Sequence, residues 1–158
     1  MKRFLSLLFV FVLGLSAAAA QPTIFIVRHA EKTASAGKDP DLSETGRARS
    51  EALAKTLKDA NVVAIYVTEF KRTQQTAAPL AKALGISVTN VPAKEIATLA
   101  AKLRTSNGNA LVVGHGDTIP NLIRALGISA PINIAENDYD NLFIVILDEK
   151  PRLICLHY

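Results

Sequence analysis

The chain has 158 residues, with 18 Lys and Arg against 14 Asp and Glu, a formal charge of +4, and 49% hydrophobic residues. That length suits one domain with a real core and is too short for two ordinary ones, and without a run of five or more Lys and Arg the modest charge offers no nucleic-acid footprint. The single cysteine, Cys155, excludes an intramolecular disulfide.

Lys2 and Arg3 open the chain, Phe4 to Ser16 are almost wholly apolar, and Ala17 to Ala20 offer a small-residue cleavage site before Gln21. The pattern predicts a signal peptide over residues 1–20 and an exported, periplasmic or secreted protein. The apolar run falls short of the roughly 20 residues a bilayer span needs, so no stable membrane insertion is expected after cleavage. Removing residues 1–20 from 158 leaves 138 in a single domain, 21–158; with Lys2 and Arg3 gone, the charge falls from +4 to +2.

Thr23 to Val27 reads as a buried strand, followed by a polar loop through Gly37, Asp39 and Pro40. Ser43 is a suitable N-cap for a helix to about Ala60 with Leu53 and Leu57 on its inner face. Val62 to Val67 is strand and Lys71 to Leu84 helix, which Pro79 should kink or split because proline removes a ladder hydrogen bond. Ser87 to Val91 is a third strand. Ile96, Leu99, Ala100 and Leu103 have helical spacing; Ala110 to Val113 is a short buried strand; and Ile119, Leu122, Ile123 and Leu126 repeat the helical spacing. The chain closes as a hairpin, Asn141 to Leu147 and Arg152 to Leu156, around Asp148 to Pro151. Cys155, inside that apolar stretch, is expected to be a buried, inert thiol, and His157 an ordinary hairpin residue. Strands alternating with helices imply an α/β fold, a three-layer α/β/α sandwich with a mostly parallel central sheet.

In such sheets ligands bind beyond the carboxyl ends of the strands. The first strand is followed by Arg28-His29-Ala30-Glu31, the Val62 to Val67 strand by Thr68-Glu69-Phe70-Lys71-Arg72, and the Ala110 to Val113 strand by Gly114-His115-Gly116-Asp117. Two histidines and two arginines from distant positions therefore meet at one rim. Two guanidinium groups facing one cleft call for an anion, and phosphate oxygens fit their planar forks. A neutral imidazole can attack phosphorus while a second donates to a phosphoryl oxygen, with Arg28, Arg72 and His115 supplying the charge a metal would otherwise bring. The chain lacks G-x-x-x-x-G-K-[ST], G-x-S-x-G and H-E-x-x-H, and its three histidines lack zinc-ligand spacing.

Val27-Arg28-His29-Ala30-Glu31 resembles the Arg-His-Gly motif that opens the histidine phosphatase superfamily, also called the phosphoglycerate mutase-like family. Ser43-Glu-Thr-Gly46, Lys71 to Ala77 with the second arginine, and Val113-Gly114-His115-Gly116 with the second histidine are similar to the segments that follow there, in the same order. The resemblance implies His29 as nucleophile, Arg28, Arg72 and His115 as the phosphate pocket, no metal and no cofactor. For the acid that protonates the leaving oxygen, one branch of the family uses a carboxylate after the second arginine, where Glu95 is nearest. The other uses an Asp directly after the second histidine, where this chain has Gly116 and Asp117 follows one residue late. Asp117 is favoured, though it also suits the N-cap of a helix beginning at Thr118; Glu31 is a third candidate. The expected substrate is a small-molecule or envelope-linked phosphomonoester. A non-catalytic module binding a phosphorylated ligand is the alternative. A mutase ranks lower, because the family's mutases are longer chains with segments inserted over the pocket.

Overall fold

The computed structural model describes residues 21–34 and 37–158, so the expected signal segment, 1–20, lies outside the described residues. Six strands and four helices follow in the order β1 (Thr23–Arg28), α1 (Glu44–Leu57), β2 (Val62–Val67), α2 (Lys71–Leu84), β3 (Val88–Asn90), α3 (Ile96–Arg104), β4 (Asn109–Gly114), α4 (Thr118–Ala125), β5 (Asn141–Ile146) and β6 (Arg152–His157). They build one sheet in the order β3-β2-β4-β1-β5-β6. The pairs β2/β3, β2/β4 and β1/β4 are parallel, whereas β5 joins β1 antiparallel and carries β6 as a hairpin.

Side chains alternate across a strand, and β1 shows the consequence. Ile24 and Ile26 enter one core with Leu99, Leu103, Ile119 and Leu122 of α3 and α4, while Phe25 and Val27 enter the other with Leu53, Leu57, Ala77 and Leu80 of α1 and α2. Two helices thus cover each face, giving the expected three layers. Each fully buried Leu or Ile contributes about 1.5–3 kcal/mol, so the central strands hold the rim above them rigid. Among the described residues no helix is long and apolar enough to cross a membrane.

Ser43 caps α1 as expected, its side chain accepting from Gly46 N at 3.1 Å. The helix ends at Leu57 rather than near Ala60, because the chain turns back toward β2 through Asn61 at φ 51°, a left-handed conformation that Asn tolerates. Pro79 does not split α2. The burial of Ala77 and Leu80 on either side of it holds the helix continuous across the missing hydrogen bond. That helix stops at Gly85, whose φ of 66° lets Ile86 N reach back to Ala81 O at 3.0 Å.

Two expectations about the sheet edges need correction. The strand expected over Ser87 to Val91 is only Val88–Asn90, and all three residues are exposed. Cys155 is exposed rather than buried. It sits on β6, the edge strand that pairs only with β5, so an apolar sequence there lacks a helix above it. His157 is a hairpin residue as expected, its Nδ1 lying 3.2 Å from Asp140 Oδ1.

Candidate active site

Sheet register brings the three rims together. In the β1/β4 ladder Arg28 lies opposite Gly114, and in the β2/β4 ladder Val67 lies opposite Val113, so Arg28, Thr68 and Gly114 end their strands side by side. The ladder continues one residue further, with His29 N donating to Gly114 O at 2.9 Å. Arg28, His29, Arg72, His115 and Asp117 line one open cavity of about 610 Å³, together with Glu69, Phe70 and Lys94.

His29 is 5% exposed, and its Nδ1 lies 2.8 Å from the Ala30 carbonyl. A carbonyl only accepts, so Nδ1 carries the hydrogen and Nε2 keeps its lone pair. Burial, above all, pushes the His29 pKa down to about 4, against the hydrogen bond to Ala30, and His115, Arg72 and Arg28 add to the shift. The imidazole is therefore neutral at pH 7, the state a nucleophile needs.

The loop that carries His29 is fastened on two sides. Ala30 N donates to Thr76 Oγ1 at 2.9 Å, and this buried hydroxyl in turn donates to Arg72 O at 2.7 Å, tying the nucleophile's loop to the helix that bears the second arginine. Glu31 O accepts from Ser43 N at 2.9 Å, while Gly46 packs directly against the Glu31 backbone. The Ser43 to Gly46 segment is thus a seat for the nucleophile's loop as well as a helix start.

Arg28 Nη1 donates to Ala135 O at 2.9 Å and Glu136 O at 2.7 Å, and its guanidinium lies 4.4 Å from the centre of the Tyr139 ring. Its Nε is buried without a hydrogen-bond partner; among the described residues only Tyr158 Oη shares that condition. An unpaired buried guanidinium N–H is costly. Arg72 is held over the Phe70 ring at 4.3 Å, with Nη1 3.7 Å from Asp39 Oδ1 and Nη2 3.4 Å from His115 Nδ1. His115 is 8% exposed, its ring 5.3 Å from that of His29, and burial followed by Arg72 lowers its pKa to about 4.

The carboxylate candidates separate cleanly. Glu31 is engaged by Arg49 at 2.7–3.0 Å and does not line the cavity. Although burial raises its pKa, the Arg49 hydrogen bonds prevail and hold the carboxyl below its usual range, the reverse of what an acid requires. Glu95 takes the N-cap position of α3, exposed and outside the cavity wall, where Ala93 and Lys94 stand instead. Asp117 precedes α4, but its side chain makes no capping hydrogen bond, so its carboxylate is free at the cavity. Glu69 was not singled out from the sequence. It also lines the cavity, with Oε2 accepting from Ala93 N at 2.9 Å, and the strand-end rule that selected Arg72 applies to it equally. No group of three or more His, Cys, Asp or Glu among the described residues is arranged to hold a metal ion.

The model of the histidine phosphatase superfamily (branch 1) matches residues 24–98, which include His29 and Arg72 and stop before His115. A search of curated protein sequences finds no match to the chain. Among solved structures, the protein histidine phosphatase SixA complexed with tungstate is 21% identical, with a TM-score of 0.70 over 85% of this chain and 96% of that one. A proposed phosphohistidine phosphatase SixA from Agrobacterium tumefaciens is 20% identical, with a TM-score of 0.66 over 86% and 98%. The mycobacterial glucosyl-3-phosphoglycerate phosphatase in complex with inorganic phosphate is 18% identical, with a TM-score of 0.69 over 87% and 97%. At these identities the likeness is one of fold.

Proposed function

We propose that this chain, which belongs to the histidine phosphatase superfamily, is an exported phosphatase that hydrolyses a phosphomonoester through a phosphohistidine on His29. The observation that carries this reading is a buried His29, its Nδ1 tied to Ala30 O, on a cavity that also holds Arg28, Arg72 and His115. In the proposed first step Nε2 attacks phosphorus in line with the leaving oxygen; the N–P bond forms as the P–O bond breaks. Charge spread over the three equatorial oxygens is met by Arg28, Arg72 and His115. Water then attacks the phosphohistidine, and inorganic phosphate leaves. Asp117, as its protonated carboxyl group, is proposed to give its proton to the leaving oxygen and to recover one from the water that attacks the phosphohistidine; Glu69 is the other carboxyl group on the cavity.

The activities named for the structural neighbours differ, protein phosphohistidine in one and a phosphorylated small molecule in another. What they share is the phosphoryl group, and that is the part of a substrate which Arg28, Arg72 and His115 would address. A generic aryl phosphate tests the reading with little dependence on the acid, because its leaving group is good. Steady release of phosphate is expected, unchanged by a chelator. Activity lost to chelation and restored by zinc or magnesium would require a different mechanism. No turnover at high enzyme concentration would favour the non-catalytic phosphoryl-binding module.

Export is proposed from the N-terminal pattern of Lys2 to Ala20. Intact-mass measurement of the protein recovered outside the cytoplasm is expected to give a chain beginning at Gln21. A membrane-held species retaining residues 1–20 would overturn that proposal.

A further inference from the structure

The geometry points to Thr68 and Thr73 as positioning residues that lock His115 in the tautomer with hydrogen on Nε2, leaving Nδ1 as an acceptor that takes up a proton when a phosphoryl group binds. The inference rests on reading the cavity as a phosphoryl site, and deepens it by assigning the protonation state in which that site works. Thr73 Oγ1 lies 2.8 Å from Phe70 O and 3.1 Å from Thr68 O. Carbonyls only accept, so the Thr73 hydroxyl hydrogen goes to them and its oxygen receives a bond from Thr68 Oγ1 at 3.0 Å. With its own hydrogen committed there, Thr68 Oγ1 presents lone pairs to His115 Nε2 at 2.9 Å, and Nε2 must carry the hydrogen.

The opposite side of the ring reaches the same answer independently. Arg72 Nη2, 3.4 Å from Nδ1, can only donate, so Nδ1 must hold a lone pair. Reversing the chain would set the Thr73 oxygen against two carbonyls and a Nδ1 hydrogen against a guanidinium hydrogen. Thr68, Thr73 and His115 are 6%, 0% and 8% exposed, so solvent does little to relieve either clash.

A lone pair at Nδ1 cannot bond to an oxygen of a phosphomonoester dianion, which has only lone pairs of its own; one proton is missing between them. A phosphomonoester monoanion supplies it: as Arg72 Nη2 turns from Nδ1 to a phosphoryl oxygen, the O–H bond breaks, an N–H bond forms at Nδ1, and an imidazolium remains paired with the dianion. Nε2–H still donates to Thr68, which stabilises the charged ring. The charged groups around His115 divide: Arg72 from α2 and Arg28 from β1 oppose its protonation, while Asp117 and Glu69 favour it, and neutral His29 lies beside it. The phosphoryl dianion tips that balance. Before binding, burial and Arg72 keep the ring neutral, consistent with its pKa near 4.

Long-range nitrogen–proton correlation spectra of the ¹⁵N-labelled protein read the tautomer directly. Hydrogen on Nε2 and none on Nδ1 is expected, with Nδ1 becoming protonated when phenylphosphonate is added; a free protein with hydrogen on Nδ1 overturns the inference. Calorimetry at about pH 8 with phenylphosphonate, a non-hydrolysable phosphoryl group that is largely a dianion with no hydroxyl, should show uptake of a proton from the buffer, and binding without uptake overturns it too. Thr68→Val should draw the alkaline limb of kcat on an aryl phosphate, which reports the enzyme–substrate complex, down by about one to two pH units, with Thr68→Ser restoring it. A loss equal at every pH, not restored by serine, would show a merely structural role for Thr68 and count against the inference. If aryl phosphate is not hydrolysed while the tautomer and proton uptake are as stated, the phosphatase reading fails and this one stands.

Discussion

Replacing His29 by alanine is expected to abolish turnover and the covalent phosphoenzyme together, a loss of roughly 10⁴-fold or more, as for deletion of other enzymic nucleophiles. Alanine leaves the fold's register intact, because the ladder bond from residue 29 to Gly114 O is made by the backbone. What disappears is the one cavity-lining imidazole whose Nδ1 hydrogen is committed to a carbonyl. Rapid quenching of the unsubstituted protein with labelled substrate should trap an acid-labile, base-stable label between Ile24 and Lys32. Label that survives His29→Ala, or maps to His115, would withdraw the assignment. His115→Ala should weaken turnover while leaving some label on His29, since it removes a phosphoryl contact but not the attacking nitrogen.

The same residue sets an acid limit. With its pKa near 4 in the folded, unliganded protein, His29 stays unprotonated well below the 6.5 of a free imidazole, so the acid limb of kcat/KM that it contributes should lie near pH 4. The linked stability follows the depressed value. Above 6.5 both states are neutral at this site; between 6.5 and about 4 the unfolded chain binds the proton and the folded one does not, so stability falls as the pH falls through that window. His115 adds a change of the same sign.

Gly46→Ala is expected to lower both stability and turnover, although helix propensity alone argues for the opposite. Position 46 lies inside α1, where alanine is worth about 1 kcal/mol over glycine. A Cβ there, however, would overlap the Glu31 carbonyl, which is backbone and already accepts from Ser43 N. Relief requires moving either the start of α1 or the segment that holds His29. Overpacking of this kind costs about 1–3 kcal/mol, enough to outweigh the propensity gain, and the displaced loop misaligns the nucleophile. Thermal unfolding and kcat should therefore fall together. Gly37→Ala, with nothing within 4 Å of the added carbon, serves as the control and should change neither. A Gly46→Ala protein of unchanged stability and rate would show that the Glu31 backbone is not a rigid seat.

Much of the architecture was legible in the sequence because it depends on short-range geometry. Short apolar runs, helical spacing and turn residues located all ten elements, and the strand-end rule set Arg28, His29, Arg72 and His115 on one rim. Boundaries and edges were less legible. Residues 58–60 leave α1 because of the left-handed turn at Asn61, and β6 has the apolar composition of a buried strand while standing at the edge of the sheet. Exposure of Cys155 follows from strand order, which no local pattern encodes.

The carboxylates and hydroxyls make the sharper contrast. The sequence by itself determined which residue types reach the rim, since the ends of β1, β2 and β4 are local features of the chain. Only the tertiary structure decided which of those groups are already committed. Glu31 is taken by Arg49 on α1, and Thr68, itself bonded to Thr73, meets His115 from 47 positions away in the chain. Hydrogen-bond partners at such separations are chosen by sheet order and helix packing. A side chain's chemistry is read from its identity, but its availability depends on neighbours that only the folded chain supplies.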